Sequence, residues 1–147
     1  MTWLLDVNVL LSLADPYKET YEAAHRWARQ HGGQVWASCP LTENGFIRIL
    51  CQRGYPGGPF TPTFAIEILE RLKKMTFWHH RVFPDSFSLA DPAVVHSDRI
   101  AGPSQLTDIY LVALAMRNNA SLVTFDTKVP WQAVVGATAD IVFVPQV

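Results

Sequence analysis

Four acidic side chains, Asp6, Glu43, Asp108 and Asp126, stand where a carboxylate is hard to explain as ordinary surface. Asp6 closes the apolar run Trp3-Leu4-Leu5, and Asp126 closes Leu122-Val123-Thr124-Phe125. Each is therefore expected at the carboxyl end of a strand, which is where open α/β sheets bind ligands. A helix cap or turn is the alternative role for either one alone. Glu43 shares a helix face with Ile47 and Leu50, and Asp108 with Leu111, Val112 and Ala115, so both fall on the stripe that should face the core. Both also lie near a first helical turn, where backbone donors and the macrodipole could satisfy a partly buried carboxylate. Taken together the four point further, because ionised carboxylates on apolar faces are costly to desolvate and repel when gathered. A cation resolves both problems. Oxygen ligands without Cys or His at metal spacing select a hard ion, Mg²⁺ or Mn²⁺, over Zn²⁺. Such a site suits phosphodiester hydrolysis, in which the ion activates water and neutralises phosphate charge.

The elements that must carry these acids follow from periodicity. Trp3 to Leu5 reads as a strand feeding a helix from Val7 to Leu13, stopped by Asp15-Pro16. A second helix is expected from Lys18 to Gln30, with Tyr21, Ala24, Trp27 and Ala28 on one face and Gly32-Gly33 beyond its end. Val35 to Ala37 is a strand, and Pro40 to Leu50 a helix that begins near its proline. After a Gly/Pro loop at 54–59, Phe64 to Leu72 forms an amphipathic helix and His80 to Phe83 a strand, while residues 84–102 give no clear pattern. Ser104 to Asn118 is a helix, and Ser121 to Phe125 and Ile141 to Val144 are the last two strands. The strands are continuously apolar and alternate with helices, the pattern of a parallel sheet covered on both faces.

A chain of 147 residues, with no repeat or low-complexity segment, is expected to form one domain over 1–147. Its apolar fraction of 49% is that of a folded globular protein. The net charge of −1 counts mildly against nucleic-acid binding, since such binders are usually basic. The apolar opening is broken by Asp6 and lacks a basic lead or cleavage site, so no signal peptide is read there. No stretch has the unbroken apolar length of a membrane span. Cys39 and Cys51 lie outside any CxxC spacing and are expected as reduced thiols, consistent with a cytoplasmic location.

These residues resemble the PIN-domain ribonucleases, and especially VapC-type toxins of bacterial toxin-antitoxin pairs. The likeness rests on Leu4-Leu5-Asp6-Val7-Asn8, on Ser38 with Leu41-Thr42-Glu43-Asn44 and Arg48, and on Leu106-Thr107-Asp108 with Leu111 to Ala115 and Leu122 to Asp126. It extends over nearly the whole chain, and its specificity lies in the order and spacing of the pieces. The resemblance implies a three-layer α/β fold, PIN-like, with a five-stranded parallel sheet of order 3-2-1-4-5 flanked by helices. It implies that Asp6, Glu43, Asp108 and Asp126 bind Mg²⁺ or Mn²⁺ and cleave RNA, and that a cognate antitoxin occludes the site. Asn8 and Thr124 match polar supports that orient carboxylates or water, with a capping or turn role as the alternative. Gln105 departs from the pattern, standing where several relatives carry His or Arg.

Other residues attract weaker expectations. Arg48, just beyond one helical turn from Glu43, is placed to touch the RNA backbone or pair with an acid, or simply to be exposed. The five histidines lack ligand spacing and receive no chemistry, and the five tryptophans are expected in the core. Tyr55 and Phe60, in a loop, are candidates for an RNA or partner contact. A homodimer is expected from apolar surface on the early helices. The rival readings are a haloacid-dehalogenase-like phosphatase, which wants an acid where Asn8 stands, and a PIN-like module that binds without cutting. A receiver domain would need paired acids after the first strand, and no nucleophile elbow, Walker lysine or dinucleotide cradle is present.

Overall fold

The computed structural model describes residues 1–76 and 78–147. Five parallel strands, β1 (Thr2–Leu5), β2 (Val35–Ser38), β3 (His79–Val82), β4 (Ser121–Val123) and β5 (Val142–Phe143), form one sheet in the order β3-β2-β1-β4-β5. Register is fixed on either side of the central strand by Leu4 against Ala37 of β2 and Leu122 of β4. The expected topology and parallel sense are those observed.

Alternation along the strands feeds two cores. Trp3 and Leu5, Trp36 and Val123 point to one face, where α1 (Val7–Ala14), α2 (Tyr21–Gln30), α3 (Pro40–Leu50) and α4 (Pro62–Lys73) cover them. Leu4, Ala37 and Leu122 point to the other, beneath α5 (Leu106–Arg117) and the irregular segments around Val95 and Val129. Fully buried Leu4, Leu5 and Leu122 explain the continuous apolar runs, because a central parallel strand has no solvent face. Trp3, Trp27, Trp36 and Trp78 are in the core as expected.

Boundaries moved for local reasons. α2 starts at Tyr21 rather than Lys18, since Thr20 is engaged by Ser12 across 2.5 Å. The expected helix from Ser104 begins as a 3₁₀ turn at Pro103–Gln105, and α5 proper starts at Leu106. α4 begins earlier than Phe64, because Thr61 caps it through the Phe64 amide and Pro62 suits the first helical position. Residues 84–102 hold a short 3₁₀ turn and a Val95–Val134 bridge, with Val95 buried in the second core.

Two surface expectations are corrected. Tyr55 is a buried wall residue, 7% exposed, with its hydroxyl donating to Asp15 at 2.5 Å. With Phe60 it lines an apolar cavity of about 530 Å³ between α1, α3 and α4. The outer face of α2 carries Glu22, Arg26 and Arg29, so the exposed apolar residues lie elsewhere and include Tyr17, Leu41, Phe64 and Ile66. No helix among the described residues is long and apolar enough to cross a membrane.

Candidate active site

Helices run antiparallel to the strands they cover, so α1 and α3 begin at the carboxyl edge of the sheet and α5 returns its first turn to that same edge. This one rule brings the four acids to one side of the molecule. Asp6 follows β1 and caps α1, accepting from the Val7 amide at 2.7 Å. Asp126 lies just past β4, and its Oδ1 accepts from the Lys128 amide at 2.7 Å. Asp108 is in the first turn of α5 and Glu43 in the first turn of α3. The cap roles read as alternatives for Asp6 and Asp126 are present, and each uses only part of the carboxylate.

Asp6 is 7% exposed and held by a compact polar lattice. Thr124 Oγ1 donates to its Oδ2 at 2.7 Å and Asn8 Nδ2 to the same oxygen at 3.0 Å. Asn8 Nδ2 also reaches Thr124 Oγ1 at 2.9 Å, and Asn8 Oδ1 accepts from the Phe125 amide at 3.1 Å. The Asp126 amide donates to Thr124 Oγ1 at 3.1 Å. Asn8 and Thr124 therefore lace the end of β1 to the end of β4 and fix where Asp6 and Asp126 stand.

Electrostatics mark three of the acids as a group. Burial pushes the Asp6 carboxyl above its usual range, against the opposing hydrogen bonds from Thr124, Val7 and Asn8, and the charge of Asp126 pushes it the same way. Asp108 is pushed up to about 6, by burial first and then by the charges of Asp6 and Asp126. Raised carboxyls gathered beside one another in this way are characteristic of functional sites.

Glu43 has hydrogen-bond and ion-pair partners of its own. Ser38 donates to its Oε1 at 2.6 Å, and Lys73 Nζ lies 2.9 Å from Oε1 and 3.0 Å from Oε2. The expectation that it lies on the core stripe is corrected: α3 buries Thr42, Phe46 and Leu50, leaving Glu43 and Ile47 on the flank. Arg48 is exposed and enters no hydrogen bond or ion pair among the described residues. Gln105 Oε1 accepts from the Ala101 amide at 2.8 Å, so at this departing position the side chain ties the loop before α5.

Among the described residues no three His, Cys, Asp or Glu side chains form a group that could hold a metal ion by themselves. That excludes an all-protein cage more than it excludes magnesium, which is usually held by one or two carboxylates and completed by water and phosphate oxygens. The hard-oxygen chemistry and mutual repulsion of Asp6, Asp108 and Asp126 fit such an ion.

The chain is 39% identical to Ribonuclease VapC44 of Mycobacterium tuberculosis over 138 residues, 94% of this chain and 95% of that protein. It is 37% identical to Ribonuclease VapC39 of the same species, across 92% of this chain and 96% of that one. The chain belongs to the VapC ribonucleases. No family model matches it. Two solved structures share the fold with a TM-score of 0.58: VapBC2 from Rickettsia felis bound to a DNA fragment from their promoter, at 11% identity over 99% of this chain and 100% of that one, and Mycobacterium tuberculosis VapC20, described as a Sarcin-Ricin loop cleaving toxin, at 13% over 92% and 98%.

In this VapC ribonuclease the residues that sequence reasoning passed over are Lys73 and His80. His80 Nε2 contacts Ser38 Oγ at 2.7 Å, so one of the histidines given no chemistry in fact joins the Glu43 network. Lys73 stands in the last turn of α4, which the α3–α4 packing sets beside the first turn of α3.

Proposed function

We propose that this VapC ribonuclease is an endoribonuclease toxin of a type II toxin-antitoxin pair, and that it works with Mg²⁺ or Mn²⁺ at Asp6, Asp108 and Asp126. The family carries the ribonuclease and toxin reading. The observation that supports the metal is the mutual repulsion of buried Asp6, half-buried Asp108 and exposed Asp126, with Asp108 pushed up to about 6, which an added cation would relieve. When bound, such an ion makes water nucleophilic near neutral pH and neutralises charge on the phosphate.

The chain's own residues supply the rest. Thr124 and Asn8 hold Asp6 with one oxygen committed to their hydrogen bonds and the other to the Val7 amide, which fixes the carboxylate plane. Half-buried Asp108 and exposed Asp126 face the solvent side of the edge, where an RNA backbone enters. Glu43 completes the acidic edge one strand away, and Arg48 offers a charge to the RNA from the outer face of α3. RNA is the substrate, and the partners are a cognate antitoxin that covers this edge and a second copy of the chain.

The test is cleavage of a pool of structured RNAs by the purified protein with Mg²⁺ or Mn²⁺ and with chelator. Cleavage should need the ion and should fall by at least a hundredfold in Asp108→Asn and Asp6→Asn with folding retained. Chelator-resistant cleavage overturns the metal reading, and no cleavage of any RNA leaves a PIN-like binding module. In cells, the wild type should arrest growth and the Asp6→Asn variant at equal abundance should not.

A further inference from the structure

Glu43 differs from the other three acids in already having a cation. The Lys73 ammonium bridges both of its oxygens, at 2.9 and 3.0 Å, and lies 3.2 Å from Glu70 one turn back along α4. The Lys73 and Glu43 side chains are only 17% and 19% exposed, so this is not a loose surface pair. It follows from the architecture. α3 and α4 form an antiparallel hairpin, which sets the first turn of one beside the last turn of the other. A glutamate is favoured at the first position and a lysine at the second by the helix dipoles.

Ser38 adds direction. It is fully buried at the end of β2, and its hydroxyl has one proton, which it donates to Glu43 Oε1. Its contact with His80 Nε2 must then be an accepted bond, so His80 carries a proton on Nε2. A chain of donors, His80 to Ser38 to Glu43, ends on the carboxylate from one side while Lys73 closes it from the other.

We infer that Lys73 is the resident cation of Glu43, and that the acidic edge consequently takes a single divalent ion, at Asp6, Asp108 and Asp126, with Glu43 a positioning carboxylate and not a ligand. The inference rests on the proposed metal site. A divalent ion on Glu43 would have to displace the ammonium or stand against it, and Lys73 has a second carboxylate, Glu70, that holds it in place.

Mn²⁺ titration of the full chain without RNA, followed by calorimetry and electron paramagnetic resonance, tests this without reference to activity. The wild type should bind one ion. Glu43→Gln should keep its affinity within threefold, Asp108→Asn should weaken it at least tenfold, and Lys73→Met should admit a second ion because Glu43 and Glu70 lose their counter-charge. Lys73→Arg, which keeps that charge, should return to one. Circular dichroism of each variant confirms that it is folded. Two ions in the wild type, a Glu43→Gln loss equal to that of Asp108→Asn, or one ion in folded Lys73→Met would overturn the inference and leave the metal site standing. No Mn²⁺ binding in the wild type would overturn both.

Discussion

The Thr124 hydroxyl donates to Asp6 and accepts from the Asp126 amide, so a single oxygen serves two acids on two strands. Thr124→Val keeps the shape and removes that oxygen. Asp6 would lose its strongest opposing bond to burial, and its carboxyl would rise further. We expect a loss of about 1–3 kcal/mol at pH 7 in urea denaturation, smaller at pH 4 where Asp6 more readily takes a proton. An equal loss at both values would mean that the hydroxyl acts through packing alone. Asp108 gives the complementary experiment in chelator. Below about pH 4 it is largely protonated in both folded and unfolded chains and costs nothing. Between there and about 6 the unfolded chain releases its proton while the folded one retains it, so stability falls as pH rises, and above about 6 the penalty is complete. Asp108→Asn should therefore match the wild type near pH 4 and exceed it at pH 7, by on the order of 1 kcal/mol once solvent screening is allowed for. A difference independent of pH would place the effect outside ionisation.

At the scale of elements, α3 is set against α1 by the absence of a side chain. A Cβ at Gly45 would stand 3.1 Å from Val7 Cγ2, and Val7 is the residue after Asp6. Glycine here allows the helix bearing Glu43 to approach the helix capped by Asp6. Gly45→Val should push them apart, lowering stability by about 1–3 kcal/mol and RNA cleavage by at least tenfold, read by thermal melts and initial rates. Full activity would show that the spacing of α1 and α3 is not critical. The elements themselves were readable because strand and helix periods differ and because Asp6 and Asp126 end apolar runs. Periodicity gave the stripe on α3 but not its centre, which is Thr42-Phe46-Leu50, so Glu43 came out one position away from the core. Lys73 and His80 stayed hidden because their partners are set by the α3–α4 hairpin and by the β2–β3 register, in which Trp36 faces His80. Such long-range pairings leave no trace in local spacing. Tyr55 misled for a related reason: its loop looks exposed in sequence, but the loop folds back onto α1 and Asp15.

For the whole molecule, two cores on opposite faces of one sheet leave little apolar surface over. What remains exposed includes Tyr17 (94%), Phe64 and Ile66 on α4, and Leu41 on α3. We propose that the homodimer expected from the early helices uses these residues instead, and Ile66→Lys with Phe64→Glu should convert it to a monomer in light scattering at micromolar concentration; a wild-type monomer would remove the expectation. The order of the strands has a separate consequence for synthesis. β1, the central strand, is made before every other strand, yet one of its flanks is β4, the fourth of the five in the sequence. Thr124 and Asp126 arrive with β4, so Asp6 leaves the ribosome without the partners that shape it. At about 5–20 residues per second the interval is of the order of ten seconds. During it the nascent chain has Asp6 and Glu43 but no closed sheet and no acidic edge. An edge built in this order is complete only once β4 and the turn after it have been translated.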